Sequence, residues 1–303
     1  MDMYQKREMR KNKKMDENAK SLPSTSIDWY PGHMAKTKRE IKEKIDLIDI
    51  VFEVIDARIP YSSKNKDIDS MVSGKPRVII MTKIDLCDMD RTSKWIKYYE
   101  ENGYSVIPID LANNANTKII FDKVKLLIDE INNKRTSKGL KPRRARILVL
   151  GVPNVGKSTL INRLVGKKAT NVGNKPGVTK NLEWIRINDK VELLDSPGIL
   201  MPRLDDQEVA HNLASMTAIK EEILEKDDIA IYIIEKMLSL YEDNIRNRYN
   251  ITEKEDIVVI LDQIGKKIGA FRNNETDYER VYTKVIKDLQ DGYLGKVTFD
   301  EIK

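Results

Sequence analysis

Short apolar runs alternate with amphipathic segments over the first two thirds of the chain. The runs have the length of buried strands and lie at residues 49–55, 77–81, 105–109, 146–150 and 191–194. Segments in which apolar residues recur at helical spacing stand between them, at 35–47, 91–101 and 117–131. This alternation predicts an α/β fold built on a doubly wound, mostly parallel sheet.

The pattern changes at about residue 205, after which apolar residues follow helical spacing alone, as over 207–225 and 228–241. We therefore predict three parts: a tail over 1–26, an α/β domain over 27–204 and an all-helical domain over 205–303. A chain of 303 residues is long enough for two such domains, each with its own core.

A glycine-rich motif, Gly-Val-Pro-Asn-Val-Gly-Lys-Ser, occupies Gly151–Ser158, between a predicted strand and a segment with helical spacing. This is the context of a phosphate-binding loop. Glycines let the backbone amides turn inward, the helix N-terminus adds positive potential, and Lys157 reaches the outer phosphates. We expect the Ser158 hydroxyl to bind Mg²⁺. The predicted phosphate-contacting residues are Asn154, Val155, Gly156, Lys157, Ser158 and Thr159.

A second motif, Asp-Ser-Pro-Gly, follows the run at 191–194. At the end of that strand Asp195 can hold Mg²⁺ through water, and the Gly198 amide can contact a terminal phosphate. Between the two motifs lies a turn-rich segment, 173–179. We expect its Thr179 to complete the Mg²⁺ shell only when a γ-phosphate is present.

A third motif, Thr82-Lys83-Ile84-Asp85, directly follows the run at 77–81. An ionised Asp85 accepts hydrogen bonds from the ring N–H and the amine of guanine, a pair of donors that adenine lacks. The motif therefore predicts GTP as the ligand, with the stem of Lys83 along the base. The alternative is that Asp85 caps the next helix.

The segment Asp110-Leu111-Ala112, after the next predicted strand, resembles a degenerate base-binding loop. We expect the Ala112 amide to meet the guanine oxygen.

The order of the motifs is the most informative feature of the chain. In a Ras-like GTPase the phosphate loop comes first and the base reader last, whereas here the base reader precedes the phosphate loop by roughly 70 residues. This order is the mark of a circularly permuted GTPase, in which the sheet is intact but the termini have moved. The basic segment 132–146 would then join the old ends.

Composition excludes several classes of protein. No apolar stretch approaches the roughly 18 residues of a membrane span, and the chain shows no signal-peptide pattern, so we expect a cytoplasmic protein. The single cysteine, Cys87, excludes a disulfide framework within the chain and is expected to be a packing residue.

Charge is distributed unevenly. Residues 205–303 contain 14 Lys and Arg against 22 Asp and Glu, so the basic excess falls on the rest of the chain. It concentrates in the tail, which we expect to be disordered, and in 134–146, which contains no acidic residue. Such a field favours a polyanion such as RNA, or else these segments are solvated linkers.

The sequence resembles the ribosome biogenesis GTPase A family of circularly permuted GTPases over residues 27–303. Besides the phosphate loop and Asp195–Gly198, the matching motifs are Trp29–Lys36, Asp56–Pro60, Ile264–Lys267 and Asp277–Arg280. The chain departs from the family at Thr82, at Leu111 and in its N-terminal tail.

The resemblance implies a cytoplasmic GTPase that acts late in the assembly of the large ribosomal subunit. We expect the protein to be monomeric and to bind GTP, GDP and Mg²⁺. The resemblance also implies a helical domain that contacts RNA. The candidates for that contact are Lys266, Lys267 and Arg272, which could equally form a solvated basic turn.

Ile199 stands where Ras-like enzymes carry the glutamine that orients the attacking water, so slow hydrolysis is expected. Besides Lys157, the catalytic candidate is His33, within the Trp29–Lys36 motif, which either orients water or anchors its loop. Asn154 matches the asparagine of potassium-dependent GTPases, in which K⁺ supplies charge to the transition state.

Three functions remain open at this stage. The first is a slow GTPase switch on the large subunit, the second a permuted GTPase acting on the small subunit, and the third a non-catalytic RNA-binding scaffold with GTP as a structural ligand.

Overall fold

The computed structural model of the protein describes residues 32–113, 117–166, 182–199, 206–219, 225–253 and 256–302. They divide into two compact units, neither of which is continuous in sequence. The sheet unit comprises Trp29–Pro202, Asn212–Lys220 and Lys296–Lys303. The helical unit contains Arg203–His211 and Glu221–Gly295. Two stretches beyond residue 205 thus group with the sheet and not with the helices.

Six strands form the sheet in the described part of the chain. They are β1 (Ile50–Asp56), β2 (Arg77–Thr82), β3 (Ser105–Pro108), β4 (Ala145–Leu150), β5 (Glu183–Arg186) and β6 (Val191–Asp195). Their order is β3-β2-β1-β4-β6-β5, and every neighbouring pair is parallel except β5 with β6. The prediction of a doubly wound, mostly parallel sheet is confirmed.

Strand β5 is absent from the sequence prediction. Within it Ile185 is buried, whereas Glu183, Trp184 and Arg186 are exposed. A short edge strand with a single buried residue offers too little apolar pattern to be recognised from sequence.

Up to residue 219, the described residues form the helices α1 (Gly32–Lys44), continued by a 3-10 turn (Ile45–Leu47), α2 (Lys66–Met71), α3 (Met89–Glu101), α4 (Lys118–Thr136), α5 (Lys157–Val165) and α6 (Gln207–Ser215). Helix α6 is divided between the two units, because residues up to His211 group with the helical unit and those from Asn212 with the sheet unit. Helix α4 runs five residues beyond its predicted end at 131. It therefore takes up the first part of the predicted connection 132–146, and Gly139, in the turn that follows the helix, has a φ of +72°.

Two apolar clusters support the sheet. In one, Val51, Leu148 and Leu194 of the strands pack with helix residues such as Ile41 and Ile68. In the other, strand residues pack with Trp95, Tyr99 and Cys87. The fully buried Cys87 is a packing residue, as predicted, and burial raises the pKa of its thiol.

The helical unit contains α7 (Lys226–Leu240), α8 (Glu242–Tyr249), α9 (Ile257–Ile268) and α10 (Tyr278–Gln290). A hairpin of two short strands, β7 (Phe271–Arg272) and β8 (Glu275–Thr276), separates the last two helices. Within the described ranges, no helix combines the length and the apolarity needed to cross a bilayer.

The prediction of one helix over 207–225 is wrong at its C-terminal end. Helix α6 stops at Ser215, and Thr217 adopts the left-handed conformation that ends it, with a φ of +60°. The sequence gives no warning, because glycine is the usual residue at such a position.

Candidate nucleotide site

The order of the strands brings the three motifs to one edge of the sheet. Thr82 ends β2, Gly151 follows β4 and Asp195 ends β6. Because β2, β1, β4 and β6 are successive parallel neighbours, their carboxyl ends share that edge, where ligands of open α/β sheets bind. Motifs that lie roughly 70 residues apart in the chain therefore become neighbours in space.

Two glycines allow the glycine-rich loop to lie close to its surroundings. A Cβ atom on Gly151 would stand 2.3 Å from the carbonyl oxygen of Val54 in β1. One on Gly198 would stand 2.7 Å from the Cα atom of Pro153. The loop is thus pressed against the central strand on one side and against the Asp195–Gly198 segment on the other.

Lys157, the first residue of α5, is only 7% exposed. Its ammonium donates hydrogen bonds to the carbonyl oxygens of Gly151 (3.1 Å) and Val152 (2.8 Å). Burial lowers the pKa of Lys157 to about 8, and the charge of Asp195 opposes that shift. The side chain is therefore a partly destabilised cation inside the loop, suited to an anionic ligand.

The residues near the loop also fit Mg²⁺. Ser158 follows Lys157 in the first turn of α5, and Asp195 is buried at the end of β6. A hydroxyl and a carboxylate are the oxygen ligands that this hard cation prefers. The third predicted ligand, Thr179, lies outside the described residues.

The base-reading motif is bonded to the glycine-rich loop at two points. The hydroxyl of Thr82 lies 2.6 Å from the carbonyl oxygen of Val155. The ammonium of Lys83 donates to the carbonyl oxygen of Asn154 at 2.9 Å. Sequence reasoning assigned neither contact, because each depends on the packing of separate strands.

Asp85 does not cap the following helix. Helix α3 is capped by Asp88, whose carboxylate accepts from the backbone amides of Asp90 and Arg91. The capping alternative for Asp85 is therefore wrong. Asp85 is half-buried, in the turn directly after the strand that carries Thr82.

Asp56 and Arg58 form a buried charged pair beside the base reader. Arg58 donates to Asp56 through its backbone N–H, its Nε and its Nη2. Lys83 donates to Oδ2 of the same carboxylate at 2.8 Å. Burial alone would raise the pKa of Asp56, but Arg58 and Lys83 hold it well below its usual range. The position of Asp56 at the carboxyl end of β1 is the signal from which sequence reasoning could have assigned it to the site.

The loop after β3 has a different arrangement from the one expected. The Ala112 amide donates to Oδ1 of Asp110 at 2.8 Å, so it must exchange this bond to reach a base. The departure at Leu111 has a packing reason: its Cδ1 lies 3.6 Å from where a Cβ on Gly156 would be. Leu111 is thus buried against the glycine-rich loop.

Ile199 points into the core. It is 1% exposed and belongs to the apolar cluster that contains Ile41 and Leu148. Its backbone is fixed as well, because its N–H donates to Gly151 and its carbonyl accepts from Asn65. Its side chain therefore contributes nothing to orienting water.

Asn154 contacts a segment that comes from beyond residue 205. Its side-chain nitrogen donates to the carbonyl oxygen of Thr217 at 2.7 Å and to the Thr217 hydroxyl at 3.1 Å. Both residues belong to the sheet unit. Sequence reasoning missed Thr217, which carries no recognisable motif.

His33 lies in the first turn of α1, but its side chain is outside the described part of the structure. The helix packs through Ile41 on the same apolar cluster as Ile199. Helix α1, which contains the described part of the Trp29–Lys36 motif, thus packs on the same cluster as Ile199, the residue that follows the Asp195–Gly198 segment.

Lys266, Lys267 and Arg272 are exposed on the helical unit. Arg272 lines an open depression of about 590 Å³, whose other basic residues are Lys226, Arg280, Lys284 and Lys287. Sequence reasoning missed these four, although the spacing of the last three along α10 places them on one helix face.

The basic segment 134–146 is partly neutralised. Arg143 makes a bidentate ion pair with Asp49, at 2.7 and 3.0 Å, and Arg146 pairs with Glu192 at 2.7 Å. Lys134, Lys138 and Lys141 are exposed. The part of this segment that contributes free positive charge is thus smaller than its composition indicates.

Comparison with known proteins matches the chain to GTPases. A family model described as "50S ribosome-binding GTPase" matches residues 146–268, and one described as "RsgA GTPase" matches residues 34–205. Ribosome biogenesis GTPase A of Bacillus cereus is 43% identical over 276 residues, which cover 90% of this chain and 93% of that protein. The protein of the same name from Priestia megaterium is 42% identical and covers 91% of this chain. The crystal structure of GNP-bound YlqF from T. maritima matches with a TM-score of 0.63 at 26% identity, covering 88% of this chain and 98% of that one.

Proposed function

Because the chain belongs to the ribosome biogenesis GTPase A family, we propose that it binds an immature large ribosomal subunit and hydrolyses GTP as a switch in its maturation. GTP hydrolysis and a role in ribosome assembly come with the family. The choice of the large subunit is supported by the family model described as "50S ribosome-binding GTPase". The observation that carries the proposal is the bonding of the base-reading motif to the glycine-rich loop by Thr82 and Lys83.

In this proposal the phosphates lie in the loop that begins at Gly151, along the N-terminus of α5. There Lys157 gives up its contacts with the loop carbonyls and binds the outer phosphates. Asp85 accepts the two guanine donors and selects the base. Ser158, Asp195 and Thr179 would hold Mg²⁺, which neutralises phosphate charge when bound. The remaining predicted contacts are those of Ile84, Ala112, Val155, Gly156, Thr159 and Gly198.

Hydrolysis transfers the γ-phosphoryl group to water, with cleavage of its bond to the β-phosphate oxygen. The buried Ile199 cannot orient that water, so the intrinsic rate is low and rises when the subunit is bound. His33, at the start of α1, would then supply the missing hydrogen bond. Asn154 would bind K⁺ beside the phosphates, where a cation adds the charge of an arginine finger.

Contact with ribosomal RNA is assigned to the basic side of the helical unit. Arg272, with Lys226, Arg280, Lys284 and Lys287, surrounds one depression, whereas the unit's acidic residues there are Asp277 and Glu279. Lys266 and Lys267 extend the basic surface from the end of α9. A phosphate backbone is the ligand that such a cluster attracts. The protein would act as a monomer in the cytoplasm.

Sedimentation with purified subunits tests the proposal. Binding to an immature large subunit should be stronger with a non-hydrolysable GTP analogue than with GDP, and that subunit should raise GTP turnover. Preferential binding to the small subunit would instead support action there.

A second function has one observation in its favour. The burial of Ile199 permits a scaffold that uses GTP only as a structural ligand. Subunit binding without any turnover, at saturating GTP and Mg²⁺, would establish that alternative.

A further inference from the structure

Thr217 ends helix α6 in an arrangement that ordinarily uses glycine. The N–H of Ala218 bonds to the carbonyl of Leu213 at 2.8 Å, and that of Thr217 bonds to the carbonyl of Ala214 at 3.0 Å. This pair of bonds is a Schellman motif, with Thr217 at its left-handed position and a φ of +60°. A β-branched residue is strained there, whereas glycine is not.

Strain of this kind persists only where the surroundings impose it. The residues that flank Thr217, namely Met216, Ala218 and Ile219, are each 2% exposed. Earlier in the segment, the side-chain nitrogen of Asn212 donates to Oδ1 of Asp300 at 2.9 Å and to the Ser62 hydroxyl at 3.1 Å. Residues 212–219 group with the sheet unit, to which Asn212 is bonded at the start of the segment.

The strained residue also contacts the glycine-rich loop. The hydroxyl of Thr217 donates to the carbonyl of Met216 at 2.7 Å, so its lone pairs are available to the nitrogen of Asn154. The carbonyl oxygen of Thr217 accepts from the same nitrogen. Glycine at position 217 would relieve the strain and keep the contact made by the backbone carbonyl, but it would lose the contact made by the hydroxyl.

The amide group of Asn154 is planar, so fixing its nitrogen also fixes its oxygen. An amide oxygen can bind a monovalent cation through its lone pairs, whereas the amide nitrogen presents only N–H donors. Asn154 itself has a φ of +59°, within the loop that meets the phosphates. The direction of its amide thus decides whether an oxygen or an N–H group faces a cation beside the nucleotide.

We propose that Thr217 is a positioning residue for Asn154: it holds the amide nitrogen and thereby keeps the amide oxygen oriented to bind a monovalent cation at the phosphate loop. The inference rests on the proposed use of K⁺ by Asn154. It adds that the cation site depends on a residue of the segment after α6, outside the recognised motifs.

Three substitutions separate the effect of the Thr217 hydroxyl from the effect of the backbone strain at that residue. Thr217→Val removes the hydroxyl and keeps the β-branch, Thr217→Ser keeps the hydroxyl, and Thr217→Gly removes both. Asn250→Gly is the matched control, because Asn250 ends α8 at a φ of +56° in the helical unit. Each full-length protein is measured for its affinity for a non-hydrolysable GTP analogue over a range of KCl and NaCl concentrations, for GTP turnover in both salts, and for thermal unfolding without nucleotide.

With the unmodified protein, KCl should tighten binding of the analogue more than NaCl. Thr217→Val and Thr217→Gly should need about three- to tenfold more K⁺ for the same effect, the value of one hydrogen bond. Thr217→Ser should retain the response. The Thr217→Gly protein should unfold at the same temperature or up to about 4 °C higher, because the strain is gone.

Each other outcome overturns the inference in a recognisable way. If the K⁺ response of Thr217→Val and Thr217→Gly equals that of the unmodified protein and of Asn250→Gly, Thr217 does not position Asn154, and the use of K⁺ stands. If the unmodified protein responds equally to K⁺ and Na⁺, both the cation site and its positioning residue are disproved. A K⁺ response lost only in proportion to thermal stability would show a structural role alone.

Discussion

The ammonium of Lys83 lies 2.9 Å from the carbonyl oxygen of Asn154, which is 71 residues further along the chain. The same ammonium donates to Asp56, so one side chain joins the ends of β1 and β2 to the phosphate loop. The base reader and the phosphate loop are therefore one bonded structure, even though the chain presents them in permuted order.

Loss of that ammonium should weaken nucleotide binding. Lys83→Met keeps the aliphatic stem but removes two charge-assisted hydrogen bonds, each worth about 1.5–3 kcal/mol. We expect the dissociation constant for a fluorescent GDP derivative to rise at least about tenfold. Lys97→Met is the control, since Lys97 is exposed on the same unit. Equal affinities of the two variants would show that the contact is incidental.

Asp85 should determine which base is accepted. Asp85→Asn replaces an acceptor oxygen by a donor, so guanine nucleotides should bind much more weakly and xanthine nucleotides should now bind. Competition between GDP and xanthosine diphosphate measures the change. Preserved selectivity for guanine would remove Asp85 from the base site.

Nucleotide affinity should depend on pH through Lys157. The pKa of Lys157 is about 8 without ligand, and phosphates raise it by favouring the ammonium. The complex thus binds the proton more tightly, so affinity is full below pH 8 and falls as the pH rises above it, by at most about tenfold per unit. Titration calorimetry between pH 7 and pH 9.5 measures this. Lys157→Arg, which stays protonated, should lack the dependence.

Asp300 should make the stability of the protein depend on pH. Burial raises its pKa to about 6, although Ser62, Tyr61 and Asn212 donate hydrogen bonds that lower it. The folded state therefore binds the proton more tightly than the unfolded state. Its contribution to the free energy of unfolding is full below about pH 4 and is lost as the pH rises through 6, by about 3 kcal/mol in all. Urea unfolding at several pH values should show this loss in the unmodified protein and not in Asp300→Asn.

His33 should be needed for stimulated hydrolysis alone. His33→Ala should keep GTP affinity and subunit binding but lose at least about 10²-fold of the subunit-stimulated rate, the contribution of a positioned imidazole. His211→Ala is the control, because the His211 ring is held by Tyr232 and the carbonyl of Gln207 within the helical unit. Loss of subunit binding in step with the rate would make His33 an anchor.

The sequence by itself determined those features of the protein that depend on residues adjacent in the chain. The apolar run before Gly151 and the helical spacing of apolar residues after Ser158 predict a strand, a loop and a helix. The ability of Asp85 to accept hydrogen bonds from guanine follows from its carboxylate. The order of these motifs also determined the permuted topology. Such features are readable because a strand, a turn or a motif is encoded within about ten residues.

Only the tertiary structure decided how distant residues meet. The ion pair between Arg143 and Asp49 neutralises a positive charge that the composition alone would place on an open basic surface. The burial of Ile199 and the contact of Thr217 with Asn154 arise because packing places residues that are distant in the sequence side by side. No local pattern records such contacts, since their energy comes from burial and hydrogen bonds formed after the sheet has assembled. The end of α6 shows this most clearly, because there a threonine takes a conformation that its own preferences oppose.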